Sequence, residues 1–260
     1  MNSDIDPSVS SAESGVAPYI TLASRLGAMH SQIFEGGGAK PAGGGGGSSS
    51  AGGESSALES IVLELTGDDV EGHATALQRA VLLGFLRERV AEPNRVNLLS
   101  VPSLAAEMGL SVAVKTGSSS DSDRFPNTLT VSVTDKAGGV RRIAGTAFGR
   151  TVKIVEIDGY ELDFVPEGHL TIFNHTNVPG VVAKFSSILG DRGVNISGLH
   201  VGSNGPDSGT SIAMLRTDDP VPAAVTRRMA ELGDIECEFI FNRYTIHAHP
   251  SHKKLTRSPN

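Results

Sequence analysis

The stretch HTNVPGVVAKFSSILGDRGVNIS, residues 175–197, decides the fold of the second half of the chain. It predicts one amphipathic helix, because four of its apolar residues recur at helical spacing. These are Val181, Phe185, Ile188 and Leu189. Pro179 stands near the helix start, where a missing N–H costs nothing, and Gly193 stands where a left-handed C-terminal cap is needed. The stretch therefore indicates a strand end, a helix and the start of a second strand.

The flanking segments complete a βαββαβ unit over residues 167–243. Strands are predicted for HLTIFNH, NISGLHVGS, TSIAMLRT and IECEFIFN, and a second helix is predicted for VPAAVTRRMAELG. This order is the ferredoxin-like split arrangement, in which helices cover one face of an antiparallel sheet. The predicted fold class is α+β.

Residues 58–166 predict another α+β domain. It begins with a strand, LESIVLELTG, and a helix in which Ala76, Ala80, Leu83 and Leu86 share one face. A short helix, VPSLAAEMG, and five strand-like runs separated by Gly, Ser, Asp and Asn turns follow.

The remaining segments surround these two domains. Residues 16–35 predict a docking helix with a continuous apolar face. That face contains Tyr19, Leu22, Ala23, Leu26, Met29 and Ile33. Residues 36–57 are a Gly/Ser-rich linker, residues 1–15 a disordered arm, and residues 244–260 a flexible basic tail.

The βαββαβ order, the Pro-Gly step after the first strand and the Gly-Val-Asn after the first helix resemble an ACT domain, a small regulatory module that binds amino acids. Upstream, PYITLASRLG, VNLLSVPSLAAEMGLSV, IAGTAFG and IVEIDGYELDF are similar to the allosteric substrate-binding domain of long D-3-phosphoglycerate dehydrogenases. The resemblance implies the C-terminal regulatory half of such an enzyme. The dinucleotide-binding domain and catalytic His-Glu-Arg set of that family do not lie within this sequence. We therefore expect no activity of the chain alone and no cofactor in it. NAD would enter only with a catalytic half, in the parent gene or as a separate chain.

An amino-acid site is indicated at the opening stretch. A free amino acid presents a carboxylate and an ammonium group, so its site needs donors and acceptors close together. The N–H groups of the helix start favour a carboxylate, and Gly180 permits close approach to the backbone. His175, Asn177 and Asn195 supply side chains that can donate and accept hydrogen bonds. Taken singly, each has a plain structural explanation as a turn, cap or surface residue.

The resemblance assigns this site a ligand. In relatives inhibited by L-serine, the His and Asn before Pro-Gly on one chain and the Asn after Gly-Val on the partner hold the effector at a dimer interface. The corresponding predicted contacts are His175, Asn177, Gly180, Val181 and Asn195. L-serine or another small amino acid is the expected ligand, and a homodimer or higher oligomer through the ACT domains is the expected assembly.

An anion site in the first domain is a weaker prediction. The resemblance places Lys153 at a position where relatives hold an anionic effector or substrate. Val165 stands where a basic group would help, and Arg141 and Arg142 are candidate substitutes. Because the sequence departs from the pattern of the relatives at these positions, a degenerate site is favoured over a working one.

Composition excludes several classes of protein. A net charge of −7 and a pI near 5.6 give no global attraction to phosphate backbones, so no nucleic-acid partner is expected. No apolar run is long enough to cross a bilayer and the N-terminus lacks a secretory pattern, so a cytoplasmic protein with no membrane partner is expected. The single cysteine, Cys237, is expected to be a buried small hydrophobe.

Two other functions stay open. A free-standing enzyme would draw on side chains that form no recognised metal spacing or nucleophile–base pair. These are His73, His169, His175 and His200 with Asp158 or Asp163. The regulatory subunit of an iron-sulfur L-serine dehydratase would require a cysteine-bearing partner, since one cysteine cannot hold a cluster.

Overall fold

The computed structural model describes residues 15–35, 58–90, 96–117, 124–205, 209–233 and 235–244. The predicted linker lies outside the described residues, as do nearly all of the predicted arm and tail. The side chain of Cys237 lies outside them as well, although its backbone belongs to the last strand.

The first unit is a mixed sheet with helices. Its elements are α1 (Ala17–Glu35), β1 (Leu58–Thr66), α2 (Asp68–Glu71), α3 (Ala74–Arg87), α4 (Val101–Glu107), β2 (Ser111–Thr116), β3 (Thr128–Asp135), β4 (Val140–Phe148), β5 (Thr151–Ile157) and β6 (Tyr160–Phe164). The six strands lie in the order β2-β1-β3-β4-β5-β6. Strands β1 and β2 are parallel, whereas the other neighbours are antiparallel. The helices α2 to α4 connect the parallel pair, which needs such a crossover.

The second unit has the predicted βαββαβ order. Its elements are β7 (Gly168–Thr176), α5 (Val181–Gly190), β8 (Ile196–Ser203), β9 (Thr210–Thr217), α6 (Ala223–Ala230) and β10 (Ile235–Tyr244). The antiparallel sheet runs β10-β7-β9-β8, so β8 is an edge strand. Gly193, three residues after the end of α5, has a φ of 68°, as the sequence predicts. The α+β fold class is confirmed.

Helix α1 packs closely against α3. All six predicted apolar residues of α1 are buried. A Cβ at Gly84 would lie 1.9 Å from the carbonyl oxygen of Ser24, and one at Gly27 would lie 2.0 Å from that of Val81. These glycines let the two backbones touch, and they turn α3 so that Leu77, Val81 and Phe85 join the core. The predicted face of α3 is therefore partly wrong, since Ala76 and Leu83 are only half-buried.

One hydrophobic core joins the two units. Helix α1 contacts β3, β4 and β5 of the first sheet and β10 of the second. The face of β7 and β9 that points away from α5 and α6 belongs to the same core as α1. Its residues are Leu170, Ile172, Ile212 and Met214. Where β6 meets β8, a Cβ at Gly202 would lie 2.3 Å from the carbonyl oxygen of Glu161. The central strands β7 and β9 of the second sheet are thus covered on both faces.

Two polar side chains of the first unit, one fully and one partly buried, have shifted pKa values. The His30 Nε2–H of α1 donates to the carbonyl oxygen of Val131, 2.9 Å away, and the imidazole is fully buried. Burial, together with a smaller effect of the nearby Arg141 guanidinium, lowers the pKa of His30 from 6.5 to about 3, against the opposing effect of the hydrogen bond to Val131. Burial also raises the pKa of Asp158, against the opposing effect of Arg141. Both side chains therefore bond to partners inside the first unit.

Candidate functional site

The end of β7 places His175 beside the turn that leads to α5. Its Nδ1 lies 2.8 Å from the carbonyl oxygen of Thr176, and because a carbonyl only accepts, Nδ1 donates. The side chain is buried near the ring of Phe173, with centroids 6.2 Å apart. The Nε2 atom is buried and has no hydrogen-bond partner. In a neutral ring Nε2 is an acceptor, so an unused acceptor lies at this end of the sheet.

The turn after His175 is exposed and shaped for close approach. The Asn177 backbone N–H donates to the carbonyl oxygen of Gly209, at 3.0 Å, which fixes the turn to the start of β9. Gly180 is the N-cap of α5 with a φ of 93°, and no atom lies within 4 Å of a Cβ built on it. A ligand can therefore reach the backbone at this helix start. Val181 is buried in the core of the second unit, so it can offer a ligand only its backbone.

Asn195 lies at the other end of the same sheet. It precedes Ile196, which opposes Thr217, and Thr217 opposes His169 at the far end of β7. Six residues of extended strand separate His169 from His175, a distance of about 20 Å. The Asn195 amide N–H donates to the carboxylate of Asp218 at 2.6 Å. One chain therefore brings His175 together with Asn177 and does not bring Asn195 to them.

An apolar surface follows the free edge of the second sheet. Leu199 and Val201 of β8 are 37% and 48% exposed. They oppose Leu215 and Ala213, whose side chains pack under α5 and α6, so they lie on the helix face of the sheet. Val178 and Val182, in and before α5, are also exposed. Leu199 and Val201 are neighbours on one face of an edge strand, and exposed apolar neighbours of this kind commonly mark an interaction surface.

A pocket of about 250 Å³ lies where the two units meet. Its lining comes from β5, β6 and the following residue in the first unit, and from β8 and β9 in the second. The lining residues are Lys153, Asp163, Phe164, Val165, Gly198, His200, Met214 and Arg216. Lys153 Nζ is 2.7 Å from a carboxylate oxygen of Asp163, and Arg216 donates to the carbonyl oxygen of Ser197 at 3.3 Å. The lining side chains include two cations and one carboxylate, so the pocket carries a net positive charge.

The other two arginines suggested for an anion site are placed elsewhere. Arg141 is buried and bonds the Asp158 carboxylate at 2.7 Å. Arg142 forms an ion pair with Glu156. Both lie at the end of β4 that faces the β5–β6 turn, whereas Lys153 pairs with Thr146 near the opposite end. The structure therefore does not bring Arg141 and Arg142 to Lys153, because the two arginines lie at the other end of β4, where each pairs with a different carboxylate.

The side chains considered for an independent enzyme are dispersed. His73 is the N-cap of α3, His169 and His175 lie at opposite ends of β7, and Asp158 is bound to Arg141. His200 and Asp163 share the pocket between the units. Within the described ranges, no three His, Cys, Asp or Glu side chains come together in a group that could hold a metal ion. None of the described helices is long and apolar enough to cross a membrane.

Two family models match the chain, in the order in which the two units occur. The model of the D-3-phosphoglycerate dehydrogenase intervening domain matches residues 50–158, and the model of the ACT domain matches residues 169–234. The chain carries a D-3-phosphoglycerate dehydrogenase intervening domain followed by an ACT domain. The resemblance to these two domains predicted from the sequence is confirmed, and the intervening-domain match covers strands β1 to β5 of the first sheet.

Curated relatives carry the same name. The D-3-phosphoglycerate dehydrogenase of Methanocaldococcus jannaschii is 27% identical over 226 residues, covering 86% of this chain and 38% of the relative. That of Archaeoglobus fulgidus is 27% identical over 219 residues, covering 84% and 37%. That of Mycobacterium leprae is 32% identical over 164 residues, covering 62% and 29%. The chain therefore spans less than two fifths of the length of these relatives.

Arg216 and Tyr160 are the residues that sequence reasoning missed. Arg216 reaches the pocket from the ACT domain, and the signal for it was present in TSIAMLRT: strand alternation puts it on one face with Ile212 and Met214. Tyr160 of the intervening domain bonds Thr210 of the ACT domain, with 2.7 Å between their hydroxyl oxygens. That contact between domains had no signal in the sequence, because it depends on how the two sheets pack.

Proposed function

We propose that this chain is the regulatory region of a D-3-phosphoglycerate dehydrogenase and binds a small amino acid, L-serine, as a feedback effector of serine biosynthesis. The matches to the intervening and ACT domain models support the regulatory role. The observation that carries the proposal is the placement of His175 with Asn177 at one end of the ACT sheet and of Asn195 at the other. That arrangement suits a ligand held between two chains.

Two copies of the chain form the site. If their β8 edges lie side by side and antiparallel, the end of the ACT sheet that carries Asn177 in one copy meets the end that carries Asn195 in the other. The exposed Leu199 and Val201 support this pairing, because an edge strand with apolar side chains is suited to contact with a second copy. The two-fold symmetry then produces two equivalent sites.

The chemistry of each site matches a zwitterion. The ligand carboxylate binds at the start of α5, where Gly180 leaves the backbone N–H groups accessible. The ammonium group binds the amide oxygens of Asn177 and of the partner's asparagine at position 195, with the Asp218 carboxylate adjacent to the latter. A serine hydroxyl satisfies a polar group that glycine would leave unpaired, which makes the site selective for serine.

The pocket between the domains is a second binding site in this proposal, and its ligand is a small anion. Lys153 and Arg216 supply the positive charge, and the volume of about 250 Å³ accommodates a carboxylate or a phosphate ester of a few carbons. Asp163 forms an ion pair with Lys153 in the absence of such a ligand. An anion must compete with this carboxylate for Lys153, which lowers the affinity of the pocket for the anion.

Isothermal titration of the whole chain with L-serine, glycine and 3-phosphoglycerate tests these assignments. We expect the largest heat for L-serine and a loss of that heat in Asn177→Ala and in Asn195→Ala. A Lys153→Met variant should lose only the response to 3-phosphoglycerate. A wild-type chain that binds no small amino acid would refute the main proposal.

Mixing two inactive variants tests whether the site spans two chains. In a mixed dimer of Asn177→Ala with Asn195→Ala, one site carries both substitutions and the other carries neither. Random exchange of subunits makes half of the dimers mixed, so about one quarter of the wild-type number of serine sites should reappear. If mixing restores no binding while co-purification of differently tagged variants shows mixed dimers, the site does not lie between chains.

A further inference from the structure

A hydrogen bond joins the intervening domain to the part of the ACT domain that carries the proposed amino-acid site. The hydroxyl of Tyr160, at the start of β6, lies 2.7 Å from the Oγ1 of Thr210, at the start of β9. Tyr160 is 3% exposed, so its ring is fixed within the core and its hydroxyl meets Thr210 at the domain boundary. A hydrogen bond between residues 50 positions apart in the chain specifies how the domains sit together.

Thr210 belongs to the segment that holds Asn177. It opposes Thr176 across the β7–β9 pair. The residue before it, Gly209, accepts the hydrogen bond of the Asn177 backbone N–H at 3.0 Å. The path from the Tyr160 hydroxyl to the Asn177 backbone therefore passes through Thr210 and its neighbour Gly209.

The first domain holds Tyr160 on a rigid turn. The preceding Asp158 adopts a φ of 50°, and its carboxylate accepts a hydrogen bond from the Arg142 backbone N–H at 2.7 Å. The same carboxylate bonds the buried Arg141. Close contact of Gly202 with the carbonyl oxygen of Glu161 fixes β6 against β8. Tyr160 is thus held firmly by the first domain, and its hydroxyl fixes the position of Thr210 in the second.

We propose that Tyr160 is a positioning residue of the amino-acid site, which sets ligand affinity from the neighbouring domain by holding Thr210 and, through it, the turn at Asn177. The proposal rests on the proposed function for the role of that turn in binding a ligand. Without the hydroxyl, the turn spends part of its time in arrangements that do not bind, and apparent affinity falls by that fraction. A neutral hydrogen bond of this kind accounts for about a fivefold change.

Tyr160→Phe removes the hydroxyl and keeps the buried ring. We expect about a fivefold increase in the Kd of L-serine, measured by titration well below the melting temperature. Thr210→Val should give at least as large an increase, and adding Tyr160→Phe to it should weaken binding no further, because the bond between the two hydroxyls is already lost. Glu161→Gln is the control: it disrupts the exposed pair with Arg124, directly beside Tyr160, and should leave the Kd unchanged.

Amide hydrogen exchange tests the same proposal without a ligand. The Asn177 N–H should exchange about fivefold faster in Tyr160→Phe than in the wild-type chain. The core amides of β3 should keep the same protection relative to one another. If the wild-type chain binds no amino acid but this exchange rises, the proposed function fails and the positioning role of Tyr160 stands. If the melting temperature falls while both the exchange at Asn177 and the Kd stay unchanged, Tyr160 is only a structural contact and the proposal is overturned.

Discussion

Acidification should destabilise the chain through His30, a residue far from either proposed ligand. The pKa of this imidazole is lowered from 6.5 to about 3 because it is fully buried between α1 and β3. In the unfolded chain it returns to about 6.5. Between these values the unfolded state binds one proton more than the folded state, so the free energy of unfolding falls as the pH falls. The full stability is present above pH 6.5, and the loss continues down to about pH 3.

The slope of this loss is about 1.4 kcal/mol for each pH unit. At pH 5, about 1.5 units below the unfolded pKa, His30 alone should therefore cost about 2 kcal/mol. Urea unfolding followed by circular dichroism at pH 7 and pH 5 measures this difference. Carboxylates and the other histidines contribute to the same pH range, so the difference measured for the wild-type chain alone does not isolate His30.

His30→Gln is the matched variant for this measurement. A glutamine amide can donate to the carbonyl oxygen of Val131, as the imidazole does, and it carries no titrating proton. We expect the variant to be less stable than the wild type at pH 7 but to lose about 2 kcal/mol less on acidification to pH 5. Parallel losses in the two proteins would refute the reasoning, since the burial of a neutral imidazole would then have no energetic consequence.

Two further predictions concern stability. Gly84→Ala should destabilise the chain by about 3 kcal/mol, because its Cβ has no room against α1, whereas Gly72→Ala, with open space around it, should change the stability by less than about 0.5 kcal/mol. Asp158→Asn should cost about 3 kcal/mol by leaving a buried guanidinium without its carboxylate, and adding Arg141→Met should recover most of that loss. Urea midpoints measure both series, and a silent Gly84→Ala or a double variant as unstable as Asp158→Asn would contradict them.

The local pattern of the chain was sufficient to predict the elements and the ACT topology. Hydrophobic periodicity placed α1 and its buried face, because six apolar residues fall on one stripe of a long helix. It placed the face of α3 less well. The contact of Gly84 with the backbone of α1 decides which side of α3 is buried, and a glycine adds nothing to an apolar stripe.

Pairing across strands explains the parts that the sequence did not reveal. Arg141 and Arg142 looked available for an anion, but the β4–β5 register brings carboxylates to them. The number of arginines is visible in a sequence, whereas the partner of each depends on register and on the packing of one sheet against another. Arg216 joins Lys153 across the domain boundary for the same reason.

The shared interior of the two domains limits where this chain could be divided. Four apolar side chains of the ACT sheet face the intervening domain and α1: Leu170, Ile172, Ile212 and Met214. An ACT module separated at the junction would expose this second apolar face to water. Each of these side chains would forfeit about 2 kcal/mol of transfer free energy. A fusion that moves this module to another enzyme must therefore include a segment that covers that face.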